Sequence, residues 1–302
     1  MTSAPLPAGT VPARPEDALR VLTWNVWWRF GDWRRRREAL LRVLAAAGPD
    51  VCGLQEVWAT PDEGLADWLA ERLGMVALFA PSPAPGRWQR RLGALGDASA
   101  GGLPEPGRIA FGNAVLSRFP VLSHDVTHLP DGPHPEGRTA LHALLDTPGG
   151  PLPFTTTHLN SAPAESAVRV RQVRALVPEV VRRARAVPGA RRPVLTGDFN
   201  AEATSDELRL VCGHQTAPVV EGVVLVDAWR FADEGVRGHT WDRRNPHVAA
   251  VHQPSARIDY VLVGLPEFSG RGAVLGVHRV GAEPVGGVWP SDHAAVLADL
   301  RI

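Results

Sequence analysis

The chain has no lysine, so all 32 of its Lys+Arg positions are arginine. With alanine, glycine and proline so abundant, this reflects a GC-rich coding sequence rather than selection for phosphate-binding forks, and the arginine count carries no functional weight. There is no charge excess either: 32 acidic residues balance the 32 basic ones, for a formal net charge of +0. That removes a global electrostatic case for nucleic acid, although a local basic groove stays compatible with it. Cysteine is scarce. Cys52 and Cys212 lie far apart, with neither metal-type spacing nor a disulfide framework, and Cys52 in "DVCGLQEV" reads as a small buried hydrophobe. No apolar run is long enough for a membrane span, and the N-terminus "MTSAPLPAGTVPARPEDALR" lacks the continuous apolar core of a secretory signal. The expectation is a cytoplasmic monomer with a disordered leader over 1–19 and a single domain over 20–302. Three motifs are also missing: G-x-x-x-x-G-K-[ST], G-x-G-x-x-G and G-x-S-x-G. Their absence argues against P-loop nucleotide hydrolysis, dinucleotide redox chemistry and serine hydrolysis.

What is present is a globular chain of 302 residues, 44% hydrophobic and 21% charged. Short apolar runs recur throughout. "RVLTWNVWW" at 20–28 reads as a strand. "GDWRRRREALLRVLAAAGPD" reads as a helix with Asp32 as N-cap, Gly48-Pro49 as the stop, and Trp33, Leu40, Leu41, Leu44 and Ala47 on one face. Arginines 34–37 are then expected to form a solvated first turn. "DVCGLQEVW" is a second strand and "DEGLADWLAERLG" a short helix. From 80 to 108 the pattern breaks into a Pro/Gly-rich stretch, too long for an ordinary connection, which suggests a mobile insertion or a substrate-facing loop. Strands resume at "IAFGNAVLSRFPVLS", "TALHALLDT" and "LPFTTTHLNS". A helix is expected over 164–186, kinked by Pro178, and further strands at "PVLTG", "GVVLVDAWR", "RIDYVLVG", "GAVLGVHRV" and "AAVLADLRI". Strands joined by short turns favour an α/β sandwich of mixed sheets over a doubly wound fold.

Polar residues gather where these strands end. Asn25 follows "VLTW", Glu56 follows "VCGLQ", and His158 and Asn160 follow "FTTT". Asp198 and Asn200 follow "PVLTG", Asp259 sits in "RIDYVLV", and Asp292-His293 precede "AAVLADL". Taken singly, each reads as a turn former, cap or satisfied core residue. Together they form a set of hard oxygen ligands and imidazoles suited to Mg²⁺ or Mn²⁺ and to attack of water on phosphorus. Strand alternation would also send Asp198 and Asn200 to the same side, with Phe199 facing the core.

Seven stretches in order, "TWNVW", "LQEVW", "GNAVLSRFP", "THLNSAP", "LTGDFNAE", "RIDYVLV" and "SDHAAV", make the chain resemble the endonuclease/exonuclease/phosphatase superfamily of metal-dependent phosphoesterases over about residues 20–302. The resemblance implies a four-layer α/β sandwich, two packed mixed β-sheets flanked by helices. It implies that Glu56 is the principal metal ligand with Asn25 beside it and Asp292 contributing from the other lobe, and that Asp198 orients or deprotonates the attacking water. Asn200 would hold a phosphoryl oxygen, His293 paired with Asp259 would act at the scissile phosphate, and His158 would donate a second bond there. Asn113 and Arg138 stand where relatives have site-lining residues. His158, together with Trp27 where repair endonucleases carry Asp, aligns the chain with the deoxyribonuclease, sphingomyelinase and phosphatase branches. The function so implied is a Mg²⁺- or Mn²⁺-dependent phosphodiesterase, nuclease-like or acting on a lipid headgroup. A phosphomonoesterase of small metabolites and a non-catalytic binding module on the same scaffold stay open.

Overall fold

The computed structural model describes residues 13–83 and 109–302. Residues 1–12 of the expected leader, and 84–108 of the expected loop, lie outside the described residues. Residues 13–17 lead directly into the first strand, where Arg14 pairs with the buried Asp50.

Twelve strands form two six-stranded sheets. In the first, the order is β11 (Val274–Val280), β12 (Ala295–Arg301), β1 (Ala18–Asn25), β2 (Val51–Ala59), β4 (Ala110–Ser117) and β3 (Val76–Pro81). In the second it is β5 (Val121–His128), β6 (Thr139–Thr147), β7 (Gly150–His158), β8 (Val194–Asp198), β10 (Asp259–Gly264) and β9 (Leu225–Asp227). Each sheet has one parallel pair at its centre, β1 with β2 and β7 with β8, flanked on both sides by antiparallel pairings.

Helices cover the outer faces. Against the first sheet lie α1 (Trp33–Ala47) and α2 (Leu65–Leu73), sealing a cluster that includes Trp24, Leu40, Leu44, Leu54, Trp58 and Leu69. Against the second lie α3 (Ser166–Arg185) and α4 (Asp206–Cys212), packed on Leu159, Phe199, Tyr260 and Leu262. Val21, Val51, Leu141, Phe154, Val261 and Val296 fill the space between the sheets. The result is the four-layer α/β sandwich. No helix among the described residues is long and apolar enough to cross a membrane.

Local chemistry sets the element ends. Asp32 caps α1 by accepting a bond from Arg35 N at 3.2 Å, and Gly48 ends it in the left-handed region. Three expectations change. Arg36 is buried, not solvated, because it lies three residues after Trp33 and four before Leu40 on the inward stripe of α1. "DAWR" is not strand: β9 stops at Asp227, whose side chain accepts a bond from Trp229 N and caps a 3₁₀ turn over Ala228–Phe231. β3, α4 and a short helix α5 (Pro246–Ala249) are additions to the elements expected. α3 runs continuously through Pro178.

Towards one end of the sandwich the intersheet layer turns from aliphatic to polar. Buried Gln55 donates to Thr23 Oγ1 (3.1 Å), Gly53 O (3.0 Å) and Thr156 Oγ1 (2.9 Å), and so links the two sheets. The sheets approach so closely here that a Cβ on Gly53 would lie 2.2 Å from Thr196 Oγ1 and 2.6 Å from Thr156 Oγ1. Only glycine fits.

Candidate active site

This polar end is where the strand directions converge. β1, β2, β7 and β8 run towards it and bring Asn25, Glu56 (at the bulge inside β2), His158 and Asp198 there. β10 and β12 run away from it, so Asp259 and the Asp292-His293 pair enter at their starts. Side chains far apart in sequence thus share one rim, with Asn25, His158, Asp198, Asp259, Asp292 and His293 all buried.

Asp198 stands at the centre. Its Oδ2 accepts a hydrogen bond from Asn25 Nδ2 at 3.0 Å, and lies 3.4 Å from His158 Nε2 and 3.8 Å from His293 Nε2. Its Oδ1 accepts from Asn200 N at 2.9 Å. Opposite it in the β8–β10 register is Asp259, whose Oδ2 sits 2.9 Å from His293 Nδ1. Burial pushes the Asp198 carboxyl up to about 6 and Asp259 adds to the rise, while His293 and the bonds from Asn25 and Asn200 oppose it. Burial disfavours the charged form of His293, but Asp259 and Asp198 outweigh it and hold the imidazole well above its usual range. Trp241 packs edge-on to the same imidazole with ring centroids 5.0 Å apart.

The first sheet contributes Asn25, Glu56 and also Asp292, which enters at the start of β12 beside β1 and not from the other lobe as expected. Glu56 sits at a register shift in the β2–β4 ladder with φ +55°, so a bulge re-aims it towards the rim. Trp27 and Trp28, just after Asn25, also have positive φ, 58° and 34°. Such conformations cost about 1–3 kcal/mol each and persist only where the surroundings hold them. Asn25 Oδ1 accepts from Trp27 N at 3.0 Å, and Ser291 Oγ donates to Asn25 O at 2.6 Å, tying the start of the Ser291-Asp292-His293 segment to β1.

The alternation expected for Asp198 and Asn200 does not apply. The strand ends at Asp198, and Asn200 adopts φ +49°, donating from Nδ2 to Leu159 O at 3.1 Å. Phe199 does enter the core, edge-on against Tyr260. Asn113 donates to Thr139 O at 2.9 Å, and Arg138 forms a buried ion pair with Glu136. Arg36 and Trp241 were absent from the sequence-derived set. For Arg36 the signal was there, in its place on the apolar stripe of α1; for Trp241 no spacing pointed to His293.

The donor chemistry fits a hard divalent cation. Ligand atoms of Asp198, Asp259 and His293 all lie within 4.8 Å of one another, a group that could hold a metal ion. Asp259 Oδ1 is buried with no hydrogen-bond partner among the described residues. Burial also pushes the Asp292 carboxyl up to about 6; the nearby Glu56 adds to this, against the pull of His293 and Arg36. Buried carboxylates that press one another towards protonation are relieved by a bound cation.

A rim of this kind, with carboxylates, carboxamides and imidazoles at the converging strand ends of a two-sheet sandwich, defines a phosphoesterase scaffold. A model of the Endonuclease/Exonuclease/phosphatase family matches residues 22–293, and the chain belongs to that family. It is accordingly a metal-dependent hydrolase acting on phosphoric esters. Among solved structures, D. rerio TDP2 complexed with single strand DNA product is similar, at 20% identity over 95% of this chain and 100% of that one, with a TM-score of 0.69. Truncated Caenorhabditis elegans TDP2 is 20% identical over 94% of this chain and 98% of that one, with a TM-score of 0.64. The human Nocturnin catalytic domain with bound sulfate anion is 19% identical over 94% and 93%, with a TM-score of 0.66. At these identities the shared property is the fold. No curated protein matches the chain in sequence.

Proposed function

We propose that the chain is a phosphodiesterase dependent on Mg²⁺ or Mn²⁺, in which Asp198 activates water and His293 acts as a cationic donor at the phosphate. The observation that carries this reading is the position of Asp198 Oδ2, within 3.0–3.8 Å of Asn25, His158 and His293, with Asp259 behind the imidazole. A carboxylate whose pKa lies near 6 is a stronger base than an ordinary one and still mostly ionised at neutral pH, as proton abstraction from water requires. His293, held charged by Asp259, donates from Nε2 to a phosphoryl oxygen that gains charge as the water adds. His158 donates beside it. The Asn200 amide, now on Leu159 O, lies at the same turn and provides a further donor.

Glu56, Asn25 and Asp292 are the residues assigned to the metal. The cluster of Asp198, Asp259 and His293 has suitable spacing for a cation as well, but in this reading its groups serve the water and the phosphate, with His293 Nδ1 bonded to Asp259. A bound Mg²⁺ or Mn²⁺ would neutralise charge on the phosphoryl oxygens. For substrate class, the D. rerio relative holds a single strand DNA product and the human one a sulfate, a tetrahedral anion shaped like phosphate. Both are compatible with a phosphodiester.

The test is a panel of DNA, RNA, sphingomyelin, phosphoinositides, nucleotides and bis-p-nitrophenyl phosphate with Mg²⁺ and with Mn²⁺. Turnover of at least one diester, abolished by excess chelator, is expected. Undiminished activity in chelator would sink the metal assignment, and turnover of monoesters alone would make the protein a phosphatase.

A further inference from the structure

The arginine run that opens α1 conceals one residue unlike its neighbours. Arg34 and Arg35 are exposed, whereas Arg36 is 3% exposed. A buried guanidinium usually meets a carboxylate in a forked pair, as Arg20 meets Asp299 on the same strand-helix layer. Arg36 instead donates only to main-chain carbonyls. Nε bonds Phe30 O at 2.9 Å, Nη1 bonds Val26 O and Pro290 O at 2.9 Å each, and Nη2 bonds Trp27 O at 2.8 Å and Trp28 O at 2.9 Å. These use the full complement of five N–H donors that a guanidinium carries.

The acceptors are not scattered. Four belong to the segment that follows Asn25, and the fifth lies two residues before Asp292. The same segment is bonded to β2 around Glu56, through Val26 N to Gln55 O at 2.9 Å and Trp28 N to Glu56 O at 3.0 Å. Trp27 and Trp28, whose backbones are in the left-handed region, each give their carbonyl to Nη2. One planar side chain therefore joins the segment after Asn25 directly to the one before Asp292, and that first segment's own bonds to β2 extend the link to Glu56.

We propose that Arg36 is a positioning residue, a backbone clamp that fixes Asn25, Glu56 and Asp292 relative to one another and so sets the affinity for the divalent cation. This rests on the metal assignment above. All five donors of the guanidinium are taken by carbonyls, and its charge by itself would repel a cation, so what it contributes is geometry. Lysine separates the two effects, since it keeps the positive charge but offers three donors on a compact head that cannot span five carbonyls.

The experiment measures Mn²⁺ binding by calorimetry and by electron paramagnetic resonance in the wild type, Arg36→Lys and Arg20→Lys, with thermal melts alongside. Arg36→Lys should weaken Mn²⁺ binding by about 10–100-fold, the range for residues that orient metal ligands. Arg20→Lys should lower the melting temperature while leaving Mn²⁺ binding at the wild-type value. Wild-type affinity in Arg36→Lys, or an equal loss in Arg20→Lys, overturns the clamp and leaves the metal assignment standing. A wild type that binds no Mn²⁺ overturns the metal assignment and the clamp together. If Arg36→Lys does not fold, hydrogen exchange on the wild type decides. Mn²⁺ should slow exchange in 26–30 and in 290–293 together, and protection of one segment without the other refutes the clamp.

Discussion

The two sheets of the sandwich repeat one pairing pattern, yet they hold their halves of the site in different ways. In the second sheet, ladder register does the work: Asp198 faces Asp259 across β8 and β10, and His158 lies beside Asp198 across β7 and β8. In the first sheet, register brings Asn25 beside Gln55, but Glu56 is re-aimed by a bulge, and the residues after Asn25 leave the ladder with positive φ. There the geometry is held by Arg36 and Ser291 together with two backbone bonds to β2, from Val26 N to Gln55 O and from Trp28 N to Glu56 O, rather than by regular strand register. The half read as holding the metal is thus built on strained backbone with side-chain support, and the half read as moving protons is built on regular sheet. A ladder tolerates no drift, which suits groups that must meet at hydrogen-bond distance. A bulged rim gives carboxylates the freedom to converge on a cation from unequal directions.

Three substitutions probe that contrast. His293→Ala, on the proton-moving half, should lower phosphodiester turnover by about 10²–10⁴-fold in protein that still folds by circular dichroism, with a lowered melting temperature because Asp259 loses its buried partner. A wild-type rate removes His293 from the chemistry. Gly53→Ala strikes the junction, where the new Cβ would collide with hydroxyls of the opposite sheet. It should cost about 3 kcal/mol in denaturant unfolding, the upper end for overpacking a tight core, and should slow turnover by shifting one half against the other. Full stability would mean that the intersheet contact yields easily.

The smallest effect is a pH dependence confined to the second sheet. His142 on β6 is buried between Thr155 Oγ1 at 2.9 Å and Thr127 Oγ1 at 3.0 Å. Burial, with Arg183 adding to it, lowers its pKa from 6.5 to about 4. Between these values the unfolded chain binds more protons than the folded one, so the contribution of His142 is present above pH 6.5 and is lost as pH falls towards 4. The stability advantage of the wild type over His142→Gln should shrink by about 2 kcal/mol between pH 7.5 and 4.5. Urea titrations at the two pH values measure it, and a constant difference would mean that the imidazole is protonated alike in both states.

The strand runs were legible because apolar runs bounded by Gly, Pro and Asp are strong local signals, and the caps of α1 were legible for the same reason. β3 and the short helices were harder to read, being brief and without strong periodicity. Within the site, residue identity was readable and conformation was not. Asn200 has the left-handed backbone of a turn and not the alternation of a strand, and "TGDFN" does not say on which side of Asp198 the ladder stops. Arg36 was hidden by composition: in a run of four arginines, only its phase relative to Trp33 and Leu40 distinguishes it, and its partners are carbonyls, which have no sequence signature.

The sequence alone determined the chemistry available, namely which carboxylates, carboxamides and imidazoles stand at strand ends, and the order of motifs that makes a two-sheet phosphoesterase scaffold. Tertiary structure alone decided how those groups are used. Whether Asp198 is an ordinary acid or one with a pKa near 6, and whether His293 is neutral or cationic, depends on burial and on neighbours up to 173 residues away in the chain. Those are long-range electrostatic terms, fixed only once strands from both sheets have brought their ends to one rim.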